Sequence, residues 1–111
     1  MNHYTYRVSW SDEDQEFVAL CAEFPSLSWL ADTPANAVSA LQNLVDEIIA
    51  DMQENNEPIP QPLSERQYSG KFNIRIPPAL HRALAIEAAE NQISMNRLIS
   101  NKLSMVHVLG R

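Results

Sequence analysis

The 111-residue sequence predicts an α+β protein in two small parts. The first is a three-stranded sheet carrying one helix; the second is a strand followed by two helices. Three observations carry this expectation. Polar and apolar residues alternate from His3 to Trp10 and again from Lys71 to Ile76, the two-residue period of a half-buried strand. After each strand region, apolar residues recur at the three-to-four-residue spacing of a helix face. Charge also divides along the chain. Residues 1–63 hold eleven acids against one base, Arg7, for a net −10, while residues 64–111 hold seven bases against three acids, for a net +4.

In the front half, Tyr4, Tyr6, Val8 and Trp10 fall on one side of the first strand, with Thr5, Arg7 and Ser9 on the other. The acidic stretch Ser11 to Gln15 is turn material, so a hairpin leads into Phe17 to Ala22. The unbroken apolar character of that run suits a central strand buried on both faces. A third short strand is expected at Leu27 to Ala31, carrying Trp29. Thr33-Pro34 marks a helix start, because Thr33 can accept from a free amide and Pro34 has no N–H to leave unpaired. Val38, Leu41, Leu44, Val45, Ile48 and Met52 form the buried stripe of this helix, which Asn55-Asn56 ends. Pro58-Ile59-Pro60-Gln61-Pro62 is either an edge strand or a stiff connector.

The expected domains are 1–63 and 71–111, joined by a linker at 64–70. A core of fewer than about 70–80 residues rarely supplies more than ~3–5 kcal/mol, so each half needs a partner or its neighbour. Pro78 opens a helix with Leu80, Ala83, Leu84 and Ala88 on one face, and Ile86 off it, toward either a partner chain or the front domain. Asn91-Gln92 breaks that helix, Ile93 fills the corner and Ser94 caps the next one. Met95, Leu98, Ile99, Leu103 and Val106 make its apolar face.

The strand at Lys71 to Ile76 places Lys71, Asn73 and Arg75 on one face and Phe72, Ile74 and Ile76 on the other. Lys and Arg donate to guanine O6 and N7, and Asn pairs both ways with adenine N6 and N7, so the polar trio suits base edges. A lone strand with two open edges does not persist, and pairing with its copy from a second chain would give a two-stranded antiparallel ribbon. Six polar side chains would then face outward from a ribbon that fits the major groove. At the start of the last helix, Ser94 and Asn96 stand beside free amides that can hold a phosphate, although plain helix capping explains the same residues. Arg97 can add to this footprint; Arg82, Lys102 and Arg111 read as solvated charges.

These residues resemble a known family. Lys71 to Pro77 is similar to the strand of ribbon-helix-helix repressors of the Arc and MetJ type, and Ser94-Met95-Asn96 to the start of their second helix. The front half resembles the HicB antitoxin domain through Tyr4 to Trp10, Phe24-Pro25-Ser26-Leu27 and Asp32-Thr33-Pro34 before an Ala-rich helix. Glycines usual in that family near the hairpin and before Asp-Thr are replaced here by Gln15-Glu16 and Leu30-Ala31. The resemblance implies a reduced ribonuclease-H-like front domain that sequesters a small basic ribonuclease toxin, HicA. It also implies a C-terminal domain that dimerises and represses the pair's own operon, with pairing of dimers into tetramers left open. The acidic loop Asp12 to Glu16 and the surroundings of Trp29 are either toxin contacts or plain solvated loop and core, so no toxin-contact residue is assigned.

Enzymatic and cofactor chemistry find no support in the sequence. A metal-dependent nuclease needs converging carboxylates, but Asp12, Glu13, Asp14 and Glu16 sit in a turn, and Asp46, Glu47 and Asp51 lie on the polar side of a helix. His3, His81 and His107 have no metal-ligand spacing, and Cys21 lies within an apolar strand. No signal segment and no run of about 18 apolar residues is present, so a cytoplasmic protein without a membrane partner is expected. The alternative function is a stand-alone repressor whose front domain senses a small ligand.

Overall fold

A computed structural model describes residues 2–109 of the chain, and side chains through residue 105. It is α+β, with a three-stranded antiparallel sheet and three helices. In chain order these are β1 (Tyr6–Ser11), β2 (Glu16–Cys21), β3 (Ser28–Ala31), α1 (Pro34–Glu54), α2 (Pro78–Glu90) and α3 (Met95–Leu109), with one 3-10 turn at Leu63–Glu65. Two compact units divide the chain between Ser69 and Gly70.

In the first unit β2 is central, pairing with β1 from Tyr6 opposite Cys21 to Ser11 opposite Glu16, and with β3 from Phe17 opposite Ala31 to Leu20 opposite Ser28. This register puts Tyr6, Val8, Trp10, Phe17, Ala19, Cys21, Trp29 and Ala31 on one face, toward α1. Ala19, Cys21, Phe24, Ala37, Leu41 and Val45 are the buried core of this unit. Leu41 and Val45 are fully enclosed, two residues of the stripe expected for α1; Ala37, one turn earlier, joins them.

The continuous apolar run of β2 led to an expectation of burial on both faces, and the structure corrects it. With one helix available, only one face is covered. Val18 is half-buried, and Leu20 and Leu30 on the other face keep 44% and 41% of their surface exposed.

The helix start follows the sequence reading. The Asn36 N–H donates to Thr33 Oγ1 at 3.1 Å, and Pro34 is the first helical residue. At the other end Asn56 turns left-handed at φ 55°, while the Asn56 and Glu57 amides donate to the Gln53 and Met52 carbonyls. That is a Schellman closure, which satisfies carbonyls the helix would otherwise leave open. Gln15 makes the other left-handed turn of this unit, at φ 55° in the β1–β2 hairpin.

The proline-rich segment forms neither strand nor helix, and it lies against the first unit. Tyr4 Oη donates to the Pro60 carbonyl at 2.7 Å, and Ser64 Oγ donates to the His3 carbonyl at 3.3 Å. His3 Nδ1 also meets Glu65 Oε1. The Glu23 carboxylate is the hub: it accepts from Thr5 N at 2.9 Å, Thr5 Oγ1 at 3.0 Å and Leu63 N at 2.9 Å. It thereby ties the strap to the start of the sheet. Residues 64–69, expected as linker, are thus held by the first unit as far as Ser69.

Burial alone would raise the Glu23 pKa, but the amides of Leu63, Thr5 and Glu23 itself outweigh it and hold the carboxyl below its usual value. Burial pushes the Cys21 thiol up, and pushes the Tyr6 phenol up to about 12 despite its hydrogen bond to Asn2. A depressed carboxyl stabilises the fold above the ordinary glutamate range and loses that contribution as pH falls through its folded value. Glu23→Ala is expected to lower urea-unfolding stability by roughly 2 kcal/mol at neutral pH. The variant should also flatten the acid limb of stability against pH; an unchanged acid limb would remove the clamp.

Candidate nucleic-acid interface

The second unit starts at Gly70, whose φ of +82° lies in the region that glycine enters freely. Residues 71–77 then form neither helix nor strand in the single chain. A strand is defined by its ladder, and this chain offers the segment no second strand. Lys71, Asn73 and Arg75 are all exposed; Phe72 and Ile74 are exposed at 70% and 57%, and Ile76 is half-buried.

Pro78 opens α2, and the Pro77 carbonyl accepts from the Leu80 and His81 amides at 3.0 and 3.1 Å. Of the face expected to be apolar on α2, Ala88 is buried and Leu84 half-buried, while Leu80 stays 47% exposed. Ile86 is exposed at 49%. A Schellman closure joins α2 to α3: Gln92 turns left-handed at φ 56°, its amide donates to Ala89 and the Ile93 amide to Ala88. Ile93 is half-buried at this corner. Ala88 and Leu98 are the buried apolar residues of this unit among those described. An ion pair between Lys102 and Glu87 at 3.1 Å links the two helices, with both side chains about half exposed. Such pairs contribute ~1 kcal/mol or less. The Val106 side chain, expected on the α3 face, and residue Arg111 lie outside what the structure describes.

Ser94 is the N-cap of α3, since its Oγ accepts from the Arg97 N–H at 3.1 Å. The hydroxyl proton is left to donate elsewhere. Asn96 lies two residues further, exposed, on a groove of about 920 Å³ that Lys71, Phe72 and Asn73 also line, with Ile99, Ser100, Leu103 and Ser104 of α3. The structure therefore brings Lys71, Asn73 and Asn96 together along one groove, and leaves Arg75 and Ser94 off it. Sequence reasoning missed Ser100 and Ser104. Their four-residue spacing from Asn96 is the signal, since it runs a polar stripe down one side of α3. Residues 70–111 carry six bases against two acids, Glu87 and Glu90, for a net +4. Exposed donors on a basic unit can meet an anionic backbone and base edges.

Among the described residues no group of three or more His, Cys, Asp or Glu could hold a metal ion, and no helix is long and apolar enough to cross a membrane.

Residues 54–103, which are 50 of the 111, match the model of the HicB family. The match spans the end of α1, the strap, the Lys71 to Ile76 segment, α2 and most of α3, whereas the HicB-like residues noted in the sequence lie before it. No curated protein and no solved structure matches the chain.

A side chain other than Gly, Asn or Asp in the left-handed region costs about 1–2 kcal/mol. Gln92→Gly should therefore raise the stability of the second unit by roughly 1 kcal/mol. In a thermal melt this reads as an upward shift of several degrees, and a downward shift would mean that the Gln92 side chain supports the corner.

Proposed function

We propose that this chain is the antitoxin of a type II toxin–antitoxin pair. Its first unit neutralises a HicA-like, mRNA-cleaving ribonuclease, and its second represses the pair's own operon as a ribbon-helix-helix dimer. The observation that carries this reading is the HicB family match across residues 54–103, which includes the segment bearing Lys71, Asn73 and Arg75.

The second unit supports dimerisation by what it leaves open. Ala88 and Leu98 are the buried apolar side chains described in this 42-residue unit, and a lone core of that size rarely supplies more than ~3–5 kcal/mol. Phe72 and Ile74, exposed in the single chain, are the apolar face that a second copy would cover. Pairing residues 71–76 between two chains turns an unladdered segment into a ribbon and points both sets of Lys71, Asn73 and Arg75 into the major groove. The Ser94 hydroxyl and Asn96 amide then contact phosphate oxygens and set the register, while the ribbon reads bases.

The first unit supports the other half of the role. Residues 1–69 carry twelve acids against Arg7 and Arg66, net −10, a field that draws in a basic ribonuclease and repels RNA from its site. The chain acts by binding in the cytoplasm, without catalysis or a cofactor of its own.

Co-expression with the neighbouring small reading frame tests the reading: the two products should co-purify, and this chain should relieve a growth arrest that the other causes. A chain that binds its promoter but has no toxic neighbour would instead be a ligand-sensing repressor. Arg75→Ala is expected to weaken operator binding by roughly 1–3 kcal/mol and relax one base preference, leaving toxin neutralisation intact. Unchanged operator affinity would remove the ribbon. A fragment ending at Ser69 should bind toxin without repressing, because the strap it retains belongs to the first unit; loss of toxin binding by a folded fragment would contradict the division of labour.

A further inference from the structure

β3 stands at the edge of the sheet, paired on one side only with β2. Sheet edges are usually guarded by a charged residue or a proline, because a row of open amides and carbonyls is a template for another strand. Ser28-Trp29-Leu30-Ala31 carries neither, whereas β1, at the opposite edge, carries Arg7. The two central side chains of β3 stand on opposite faces and are both well exposed, Trp29 at 43% and Leu30 at 41%. On the helix side, Trp29 shares its hollow with Ala40, Asn43, Leu44 and Glu47 of α1. Glu47 is exposed and has no ion pair among the described residues. On the other side, Leu30 lies opposite Val18 in the register and continues into Leu20.

We propose that the free edge of β3 accepts an extended segment of a basic protein partner, with one cationic side chain seated between the Trp29 indole and the Glu47 carboxylate. This rests on the reading of the first unit as the partner-binding one. A strand added to β3 alternates its side chains, so that one row enters the Trp29 hollow and the other covers Leu30 and Leu20. Four residues offer few backbone hydrogen bonds, so the side-chain seats carry the selectivity. An indole face attracts a cation, and tryptophan is enriched among the residues that anchor protein interfaces. Charge decides the occupant. A second copy of this edge would bring another net −10, while a lysine- or arginine-bearing strand meets Glu47 and the acidic field around it.

The test uses the full chain carrying Trp10→Phe, which leaves Trp29 as the sole tryptophan. Its probes are two eight-residue peptides, one alternating lysine with valine and the other glutamate with valine. The basic peptide should change Trp29 emission and shift amide resonances at residues 28–31 and 40–47. The acidic peptide should do neither, and Glu47→Gln should weaken the basic peptide about threefold. The proposal is overturned if the basic peptide does not bind, if both peptides bind equally, or if the shifts fall elsewhere. Dimerisation through residues 28–31 without peptide would overturn it too. Because the peptides need no toxin, the two readings fail separately. Peptide binding at β3 without growth rescue would remove the antitoxin role alone, and growth rescue without peptide binding would remove this edge alone.

Discussion

One helix covers one face of a three-stranded sheet, and the rest of the first unit is arranged around that limit. α1 closes over Ala19 and Cys21 with Ala37, Leu41 and Val45, which concentrates the enclosed volume in a single layer. The opposite face has no layer of its own, so Val18, Leu20 and Leu30 remain at the surface of a strand run that reads as core. The same limit leaves the sheet's edges to be managed locally. At the β1 end, Asn2 and Thr5 are engaged by Asp46 and Glu23, and the strap is drawn in beside them.

Glu23 shows how one carboxylate can decide where a domain ends. Three donors from two distant stretches of chain, Thr5 and Leu63, converge on it, and the amides favour its ionised form strongly enough to outweigh burial. A charge-assisted hydrogen bond is roughly twice as strong as a neutral one. The consequence is organisational: the proline-rich strap is part of the acidic unit, and the change from acidic to basic chain coincides with Gly70.

The second unit is built on the opposite principle. A Schellman corner at Gln92 closes α2 and Ser94 caps the start of α3, while Ala88 and Leu98 are the buried apolar side chains among the described residues. Along the groove of this unit, Asn96, Ser100 and Ser104 are placed by a helix, while Lys71 and Asn73 come from a segment with no ladder among the described residues.

The three strands of the first unit and the three helices were legible from sequence because they depend on neighbours in the chain, whereas the strand expected at Lys71 to Ile76 is not one in the single chain. The Thr33-Pro34 start, the Asn55-Asn56 stop, the Ser94 cap and the alternation through β1 express hydrogen bonds within a few residues and a period set by backbone geometry. Charge was legible for the same reason, since counting needs no fold. Only the tertiary structure decided matters that require counting layers or bringing remote residues together. It showed that β2 has one covered face, that Glu23 reaches Leu63, that Trp29 shares a hollow with Glu47, and that Asn96 shares a groove with Lys71 and Asn73. A sequence records which residues are apolar or charged; how many neighbours arrive to cover or meet them is a property of the packed chain.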